Sequence, residues 1–491
     1  MRLRNRAPCV DIQTLNSAVT GSLHLCVCKF PDDETVRFVV DAGLFQERVE
    51  KVADADGLIS ENINDIYNKN FPFNEDSLDF VLVTHNHVDH VGRLPLLYKN
   101  GYSGKTFMSM PTRELIPHSL HDSCKVLRET AKRRHVSALY TDSDVSAALE
   151  HFCGVPYGKP FFPVPDRVKV TFFKNGHLVG ASMILVQVFA PFKDEVVNLL
   201  FTGDYNNQNM FFKVPELPDW VYELPITIIQ ESTYGDMDST DIVPCFEKNL
   251  IRGISEKRSI VVPTFSLGRY QEVLYFLQGL QNKGVLDTNV PIFADGKLAA
   301  TYTNMFLNNP LLEINPDMTN FLPQNITFVT GGEERSDVID DINSKIIVTT
   351  SGMGSYGPAQ EYISKLISNP NAMIHFTGYT AEGTLGRRLK DTEIGDDVKV
   401  GSVMKIKRAE VLYTTEFSAH AKADQMVSFL NNFKHINFVI VNHGEPEVKE
   451  KFASRILREV PNVKEVGIAG RDVFFRVNPY KYVKSMTTKF Q

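Results

Sequence analysis

Cysteine is scarce in this chain. Six cysteines among 491 residues (Cys9, Cys26, Cys28, Cys124, Cys153, Cys245) form no C-x-x-C pair. They are read as reduced thiols, with no paired-thiol metal or redox motif; Cys26 and Cys28 share a face if their segment is a strand. No uncharged apolar run reaches membrane-spanning length, and the basic start Met1-Arg2-Leu3-Arg4-Asn5-Arg6 has no apolar continuation. Neither a spanning helix nor a signal peptide is expected, and a cytoplasmic location is the default. Positive charge is not in excess. The net charge is −7, so bulk electrostatics do not draw the chain to polyanions, and any such site must be a local basic patch. Internal repeats and low-complexity tracts are also missing. The remaining composition, 43% hydrophobic and 23% charged, is that of a globular protein long enough for two or more domains.

Against these absences stands one dense stretch, Val83-Thr84-His85-Asn86-His87-Val88-Asp89-His90, with three imidazoles and a carboxylate in six positions. A lone histidine is usually structural; H-x-H-x-D-H behind an apolar run is a metal motif. Phe80-Val81-Leu82-Val83 reads as a buried strand, and Val91, Leu94 and Leu97 follow at helical spacing. The ligands therefore sit on a strand-to-helix turn.

Short segments rich in Val, Ile and Phe alternate with helical patterns through the whole chain, an α/β pattern. Strands ending in an acid mark residues 1–234. Residues 235–404 repeat strand, glycine-bearing turn and helix, as expected of a mainly parallel sheet, and residues 405–491 return to the first style. One domain is thus expected to be inserted into another. Asp391 to Asp397 is the expected flexible connector. Open α/β sheets place ligands at strand ends, where the chain carries Asp41, His177, Asp204, Glu231, His420 and His443. Each alone has an ordinary structural reading, but six positions cannot close two metal shells unaided, so His177, Asp204 and His443 join the site. His24, His118, His121, His135, His151, His375 and His435 lack companions at metal spacing and are read as structural.

The ordered set Asp41, His85-x-His87-x-Asp89-His90, His177, Asp204, Glu231, His420 and His443 resembles the metallo-β-lactamase superfamily, β-CASP branch. It is similar in particular to cleavage-and-polyadenylation-type endonucleases, their bacterial and archaeal relatives, and ribonuclease J. Further matching stretches are Asp41-Ala42-Gly43-Leu44-Phe45-Gln46, Thr264-Phe265-Ser266-Leu267-Gly268-Arg269, Ser351-Gly352-Met353 and Gly378-Tyr379-Thr380-Ala381-Glu382-Gly383-Thr384-Leu385-Gly386-Arg387-Arg388. The resemblance covers nearly the whole chain and implies an αββα metallo-β-lactamase sandwich with an inserted α/β β-CASP domain.

The resemblance implies His85, His87 and His177 on one metal, Asp89, His90 and His443 on the other, Asp204 bridging, and Asp41 behind them orienting the ligands. Imidazole and carboxylate without thiolate suit two Zn²⁺, with Mn²⁺ as the alternative. His420 is then the general acid held by Glu231, and Asp89 counts with both as catalytic. The expected reaction is hydrolysis of phosphodiesters in single-stranded RNA, leaving 5′-phosphate and 3′-hydroxyl ends, endonucleolytic or 5′-to-3′ exonucleolytic, in RNA processing or decay. Ser351, Gly352 and Met353, with Arg269, Arg387 and Arg388, are the candidate phosphate contacts. No membrane partner is expected, and a homodimer is compatible. No KH, S1 or zinc-ribbon module is recognised. A DNA nuclease of the same branch, a small-ester hydrolase and a non-catalytic scaffold are the competing readings. The last two leave the inserted domain or the intact ligand set unexplained, and the first departs from the family's use of histidine at the His443 position.

Overall fold

The structure, a computed structural model, describes residues 7–16, 19–46, 51–53, 59–189, 195–318, 320–378, 380, 383–479 and 482–486. The basic segment 1–6 and, within the motif at 378–388, Tyr379, Ala381 and Glu382 lie outside the described residues. The chain forms two compact units, one from residues 1–209, 213–239 and 420–491, the other from 210–212 and 240–419.

The first unit is built on two facing sheets. One has eight strands, in spatial order Tyr482–Met486, Val473–Val477, Cys9–Thr14, His24–Lys29, Thr35–Val40, Phe80–Leu82, Lys105–Ser109 and Phe152–Val155. The other has seven: Val466–Ile468, His435–Asn442, Pro225–Glu231, Val196–Phe201, Ser182–Phe189, Val168–Lys174 and Phe161–Val164. The two-residue period of a strand decides what each face meets. Val168, Val170 and Phe172 point into the space between the sheets, with Ile184, Val186 and Val188 from the neighbouring strand and Val10, Phe38, Val40 and Phe80 from the opposite sheet. The intervening Phe173, Met183 and Leu185 face outward against Met426, Leu430, Phe452 and Ile456 of the helices Ala423–Asn431 and Pro446–Glu459. On the far side, Val39, Val81 and Met108 pack under helices Leu94–Lys99, Met110–Arg134 and Asp142–Leu149 through Leu97, Ile116, Leu120 and Val145. The layers run helix, sheet, sheet, helix. Both faces of the central strands are therefore buried, which is why these segments read as continuous apolar runs instead of alternating ones.

In the second unit six strands, Ile326–Val329, Ile292–Asp295, Lys345–Thr349, Ser259–Pro263, Ala372–Phe376 and Glu410–Tyr413, pair in that order, all parallel. Glu410–Tyr413 adds to Ala372–Phe376, Met373 facing Glu410 and Phe376 facing Tyr413. The chain accordingly returns to the first unit at His420, fifteen residues later than a boundary after Met404. Residues 210–212 also count with this unit, because Phe211 is buried with its ring 5.3 Å from Phe306 and 5.2 Å from Phe321. The expected connector, Asp391 to Asp397, runs inside this unit from the last residue of the helix Leu385–Asp391 to the first of the strand Asp397–Val400, with 392–396 as the loop between them. Lys407 pins it by donating to the Leu389 and Thr392 carbonyls at 2.8 and 2.6 Å. Among the described residues no helix is long and apolar enough to cross a membrane.

Candidate metal centre

The buried strand Phe80–Leu82 ends at Val83, and the chain turns into the short helix Val88–Val91, for which His87 is the N-cap. This strand-to-helix turn is stapled to residues 41–44 by backbone hydrogen bonds: Ala42 N–H to His90 O at 2.7 Å, Leu44 N–H to Val88 O at 3.0 Å and Arg93 N–H to Ala42 O at 2.7 Å. Gly43 is part of the fit, because a Cβ there would run into the Asp89 carbonyl. Arg93, fully buried, donates from Nε to the Gly43 carbonyl at 2.6 Å and stacks between Phe45 and Phe71. From the other side Ser119, on the long helix Met110–Arg134, donates to the Asn86 side chain at 2.5 Å.

The strand-end residues converge on this turn. His85 Nε2 and His177 Nε2 each lie 3.1 Å from His87 Nδ1. Asp204 Oδ2 lies 3.3 Å from His90 Nε2, 3.8 Å from His85 Nε2 and 3.9 Å from His177 Nε2, and its other oxygen is 3.3 Å from His443 Nδ1. Asp89 Oδ2 stands 3.9 Å from His90 Nε2. Two groups with metal-binding spacing share the centre, His85, His87 and His177 on one side and Asp89, His90 and His443 on the other, and further sets run through Asp204 to His420 and to Glu231.

Asp41, with φ of +63°, turns its carboxylate back into the loop. It accepts from Thr84 N–H and Thr84 Oγ1, both at 2.8 Å, and lies 2.7 Å from His90 Nδ1. That fixes the His90 ring so that Nε2 points at Asp204. His420 Nδ1 lies 3.1 and 3.0 Å from the two oxygens of Glu231. The Glu231 carboxylate is itself held by the Tyr205 N–H at 2.8 Å, and the His420 ring sits 4.7 Å from that of His177.

The electrostatics follow from burial and from which carboxylate each ring faces. Burial pushes the His85 imidazole well below its ordinary range and His87 down to about 4. For His90, burial acts downward too, but Asp204 and Asp41 outweigh it and raise the pKa well above 6.5. Asp204 is pulled well below the usual carboxylate range by His443 and His90 in spite of its burial. At His420 the Glu231 charge and hydrogen bond overcome burial and raise the ring's pKa. Three buried atoms, His90 Nε2, Asp204 Oδ1 and His443 Nε2, complete no hydrogen bond. Buried polar atoms without partners are costly, and imidazole nitrogens beside a carboxylate are what a bound cation, displacing the His90 proton, would satisfy.

The candidate phosphate contacts lie in the second unit. Ser351, Gly352 and Met353 follow the strand Lys345–Thr349, with Gly352 pressed on the Phe265 ring. Arg387 spends its Nε on Asp391 at 3.0 Å, and Arg388 donates to the Gly383 carbonyl at 2.8 Å. Arg269 is no solvent-facing cation. It is buried, donating to Glu272 at 3.0 Å and to the Thr377 carbonyl, and so ties a helix start to a strand end. A helix-start arginine followed three residues later by glutamate, Arg269 to Glu272, was the signal available for this. Sequence reasoning also passed over Thr84, Arg93 and Asn442, and set aside His24. No metal-type spacing marks these four.

Residues 270–389 match the family described as Beta-Casp domain, and residues 406–466 match the Zn-dependent metallo-hydrolase RNA specificity domain. The transcription termination factor FttA of Methanocaldococcus jannaschii is 30% identical over 406 residues, covering 79% of this chain and 61% of its own length. FttA of Lokiarchaeum sp. is 30% identical over 424 residues, 82% of this chain and 64% of its own. The Schizosaccharomyces pombe endoribonuclease ysh1 is 28% identical over 407 residues, 80% of this chain and 50% of its own. The chain thus spans between half and two thirds of the length of these relatives.

Proposed function

The chain belongs to the β-CASP metallo-β-lactamase family, and from that premise we propose that it is a two-metal ribonuclease. It hydrolyses phosphodiester bonds of single-stranded RNA to 5′-phosphate and 3′-hydroxyl ends, in RNA processing or decay. The observation that carries this is the convergence of His85, His87, Asp89, His90, His177, Asp204 and His443, with three buried polar atoms left unsatisfied among them. The donor set fits zinc. His85, His87 and His177 would hold one ion and Asp89, His90 and His443 the other, with Asp204 between, and Mn²⁺ is the alternative on so carboxylate-rich a centre.

When bound, such a pair of ions brings the pKa of a water toward neutrality and stabilises charge on the oxygens at phosphorus. The remaining work falls to side chains. Asp41 keeps the His90 Nε2 lone pair turned inward. Glu231 occupies His420 Nδ1, which leaves Nε2 to give a proton to the departing 3′-oxygen. Backbone N–H groups after Lys345–Thr349, around Ser351, Gly352 and Met353, with Arg387 and Arg388, meet the RNA backbone; Arg269 holds their scaffold instead of touching RNA. RNA is favoured by the RNA specificity domain at 406–466 and by the endoribonuclease among the relatives.

The test is metal content together with substrate choice. About two zincs per chain are expected, with hydrolysis of single-stranded RNA that chelation abolishes and zinc restores. Hydrolysis of a thioester with none of RNA refutes the proposal. End-labelled RNA carrying a 5′-monophosphate or a 5′-triphosphate, followed by product sizing, separates internal cutting from 5′-to-3′ degradation.

A further inference from the structure

His443 has a demanding backbone. Its φ is +45°, in the left-handed region that a residue with a side chain enters only when its surroundings hold it there. One tether is Ser232, whose Oγ donates to the Asn442 carbonyl at 2.7 Å and whose N–H donates to the His443 carbonyl at 3.1 Å; a second is Thr233, whose Oγ1 lies 3.0 Å from His443 Nδ1. A third runs through the side chain of Asn442. The Asn442 amide nitrogen donates to His24 Nε2 at 3.1 Å, and His24 Nδ1 lies 2.9 Å from Thr14 Oγ1. Thr14, His24 and Asn442 are all buried. Because the amide N–H₂ can only donate, His24 Nε2 accepts and its proton sits on Nδ1, facing the threonine hydroxyl. Both ring nitrogens are thereby satisfied, and the ring packs 5.5 Å from Phe201.

A histidine here is unexpected on packing grounds. Its chain neighbours Leu23 and Leu25 are buried and apolar, and an aromatic hydrocarbon would fill the same space without two polar atoms to desolvate. The imidazole joins the first strand pair of the fold to the residue preceding His443.

We propose that His24 is a positioning residue of the metal centre: through Asn442 it holds the turn that aims His443 at Asp204. This rests on the two-metal reading above. His24 touches neither the reacting atoms nor an ion, so its effect is confined to the ion that His443 would hold.

The experiment is stepwise zinc binding by the whole chain, in competition with a chelator, for wild type and for His24→Phe, His24→Gln and Thr14→Val, with unfolding of the zinc-free proteins alongside. His24→Phe is expected to keep one zinc at wild-type affinity and bind the second about 10- to 100-fold more weakly, as for other residues that orient a metal ligand. His24→Gln, whose amide can both accept from Asn442 and donate to Thr14, should recover to within about threefold. Thr14→Val should show a smaller loss at the same zinc, and it decides the matter if His24→Phe does not fold. Wild-type affinity for both zincs in the variants overturns the proposal. So does an equal weakening of both zincs that tracks lost zinc-free stability, or a glutamine variant no better than phenylalanine. A wild-type chain that holds neither zinc nor manganese overturns the two-metal reading and the proposal with it; failure confined to the variants of a metal-loaded wild type overturns the proposal alone.

Discussion

Replacing Gly43 by alanine should dismantle the metal centre from behind. The added Cβ would fall inside the Asp89 carbonyl, with His90 N also in contact and no flexible side chain there to give way. A carbon and a carbonyl oxygen keep about 3.3–3.6 Å apart, so the Asp89–His90 backbone must withdraw by on the order of 2 Å. That movement pulls on the Ser22 N–H to Asp89 O bond at 2.8 Å, the Ala42 N–H to His90 O bond at 2.7 Å and the Gly43 N–H to Ser22 O bond at 2.9 Å. At about 1 kcal/mol each, losing them costs roughly 3 kcal/mol of stability. The catalytic loss is larger, since a 1 Å misplacement alone is able to cost about 100-fold and this one moves two candidate ligands together. Zinc content, urea unfolding and RNA hydrolysis of Gly43→Ala measure the three effects. A variant that keeps both zincs and turns over RNA within tenfold of wild type would show that the loop is not held as described.

His420→Ala should retain zinc and lose about 10²- to 10⁴-fold in turnover, the usual weight of a proton donor; undiminished turnover at neutral pH removes His420 from the mechanism. Buried His375 accepts from Asn249 at 3.1 Å, and burial holds its pKa down to about 4. A histidine whose folded pKa is depressed costs stability as pH falls, because the unfolded chain takes up the proton first. The full contribution is present above about 6.5, and about 2 kcal/mol is lost by pH 5. Urea unfolding at pH 7 and pH 5 should show this loss in wild type and not in His375→Gln, and equal slopes in both would refute it. Gly279 lies inside the helix Arg269–Asn282, with nothing near the position of a Cβ. Gly279→Ala should therefore add about 0.5–1 kcal/mol without touching RNA hydrolysis, and a destabilised variant would contradict the space assigned there.

The layered α/β architecture was legible because buried strands announce themselves: Phe80-Val81-Leu82-Val83 and Phe438-Val439-Ile440-Val441 are apolar throughout, and ligand-type residues follow where the strands stop. The meeting of His85 with His177, Asp204 and His443 could be anticipated for the same reason. Less legible were contacts that depend on three-dimensional neighbours. Glu410-Val411-Leu412-Tyr413 is only partly buried, and its parallel pairing with Ala372–Phe376 leaves no local mark, hence the later return at His420. Arg269 has the composition of a phosphate contact, but its environment, Glu272 and the Thr377 carbonyl, lies partly 108 residues away in the chain. His24 carries no spacing signal at all, since its partner Asn442 is 418 residues distant.

The centre draws on both sides of the inserted unit, with His85, His87, His90, His177, Asp204 and Glu231 before it and His420 and His443 after it. A ribosome delivers these in order. Between the addition of His177 and that of His420 the growing polypeptide owns the first set of histidines but neither His420 nor the last imidazole. On the ribonuclease reading proposed above, the polypeptide is thus made with an incomplete centre while still tethered to the message that encodes it.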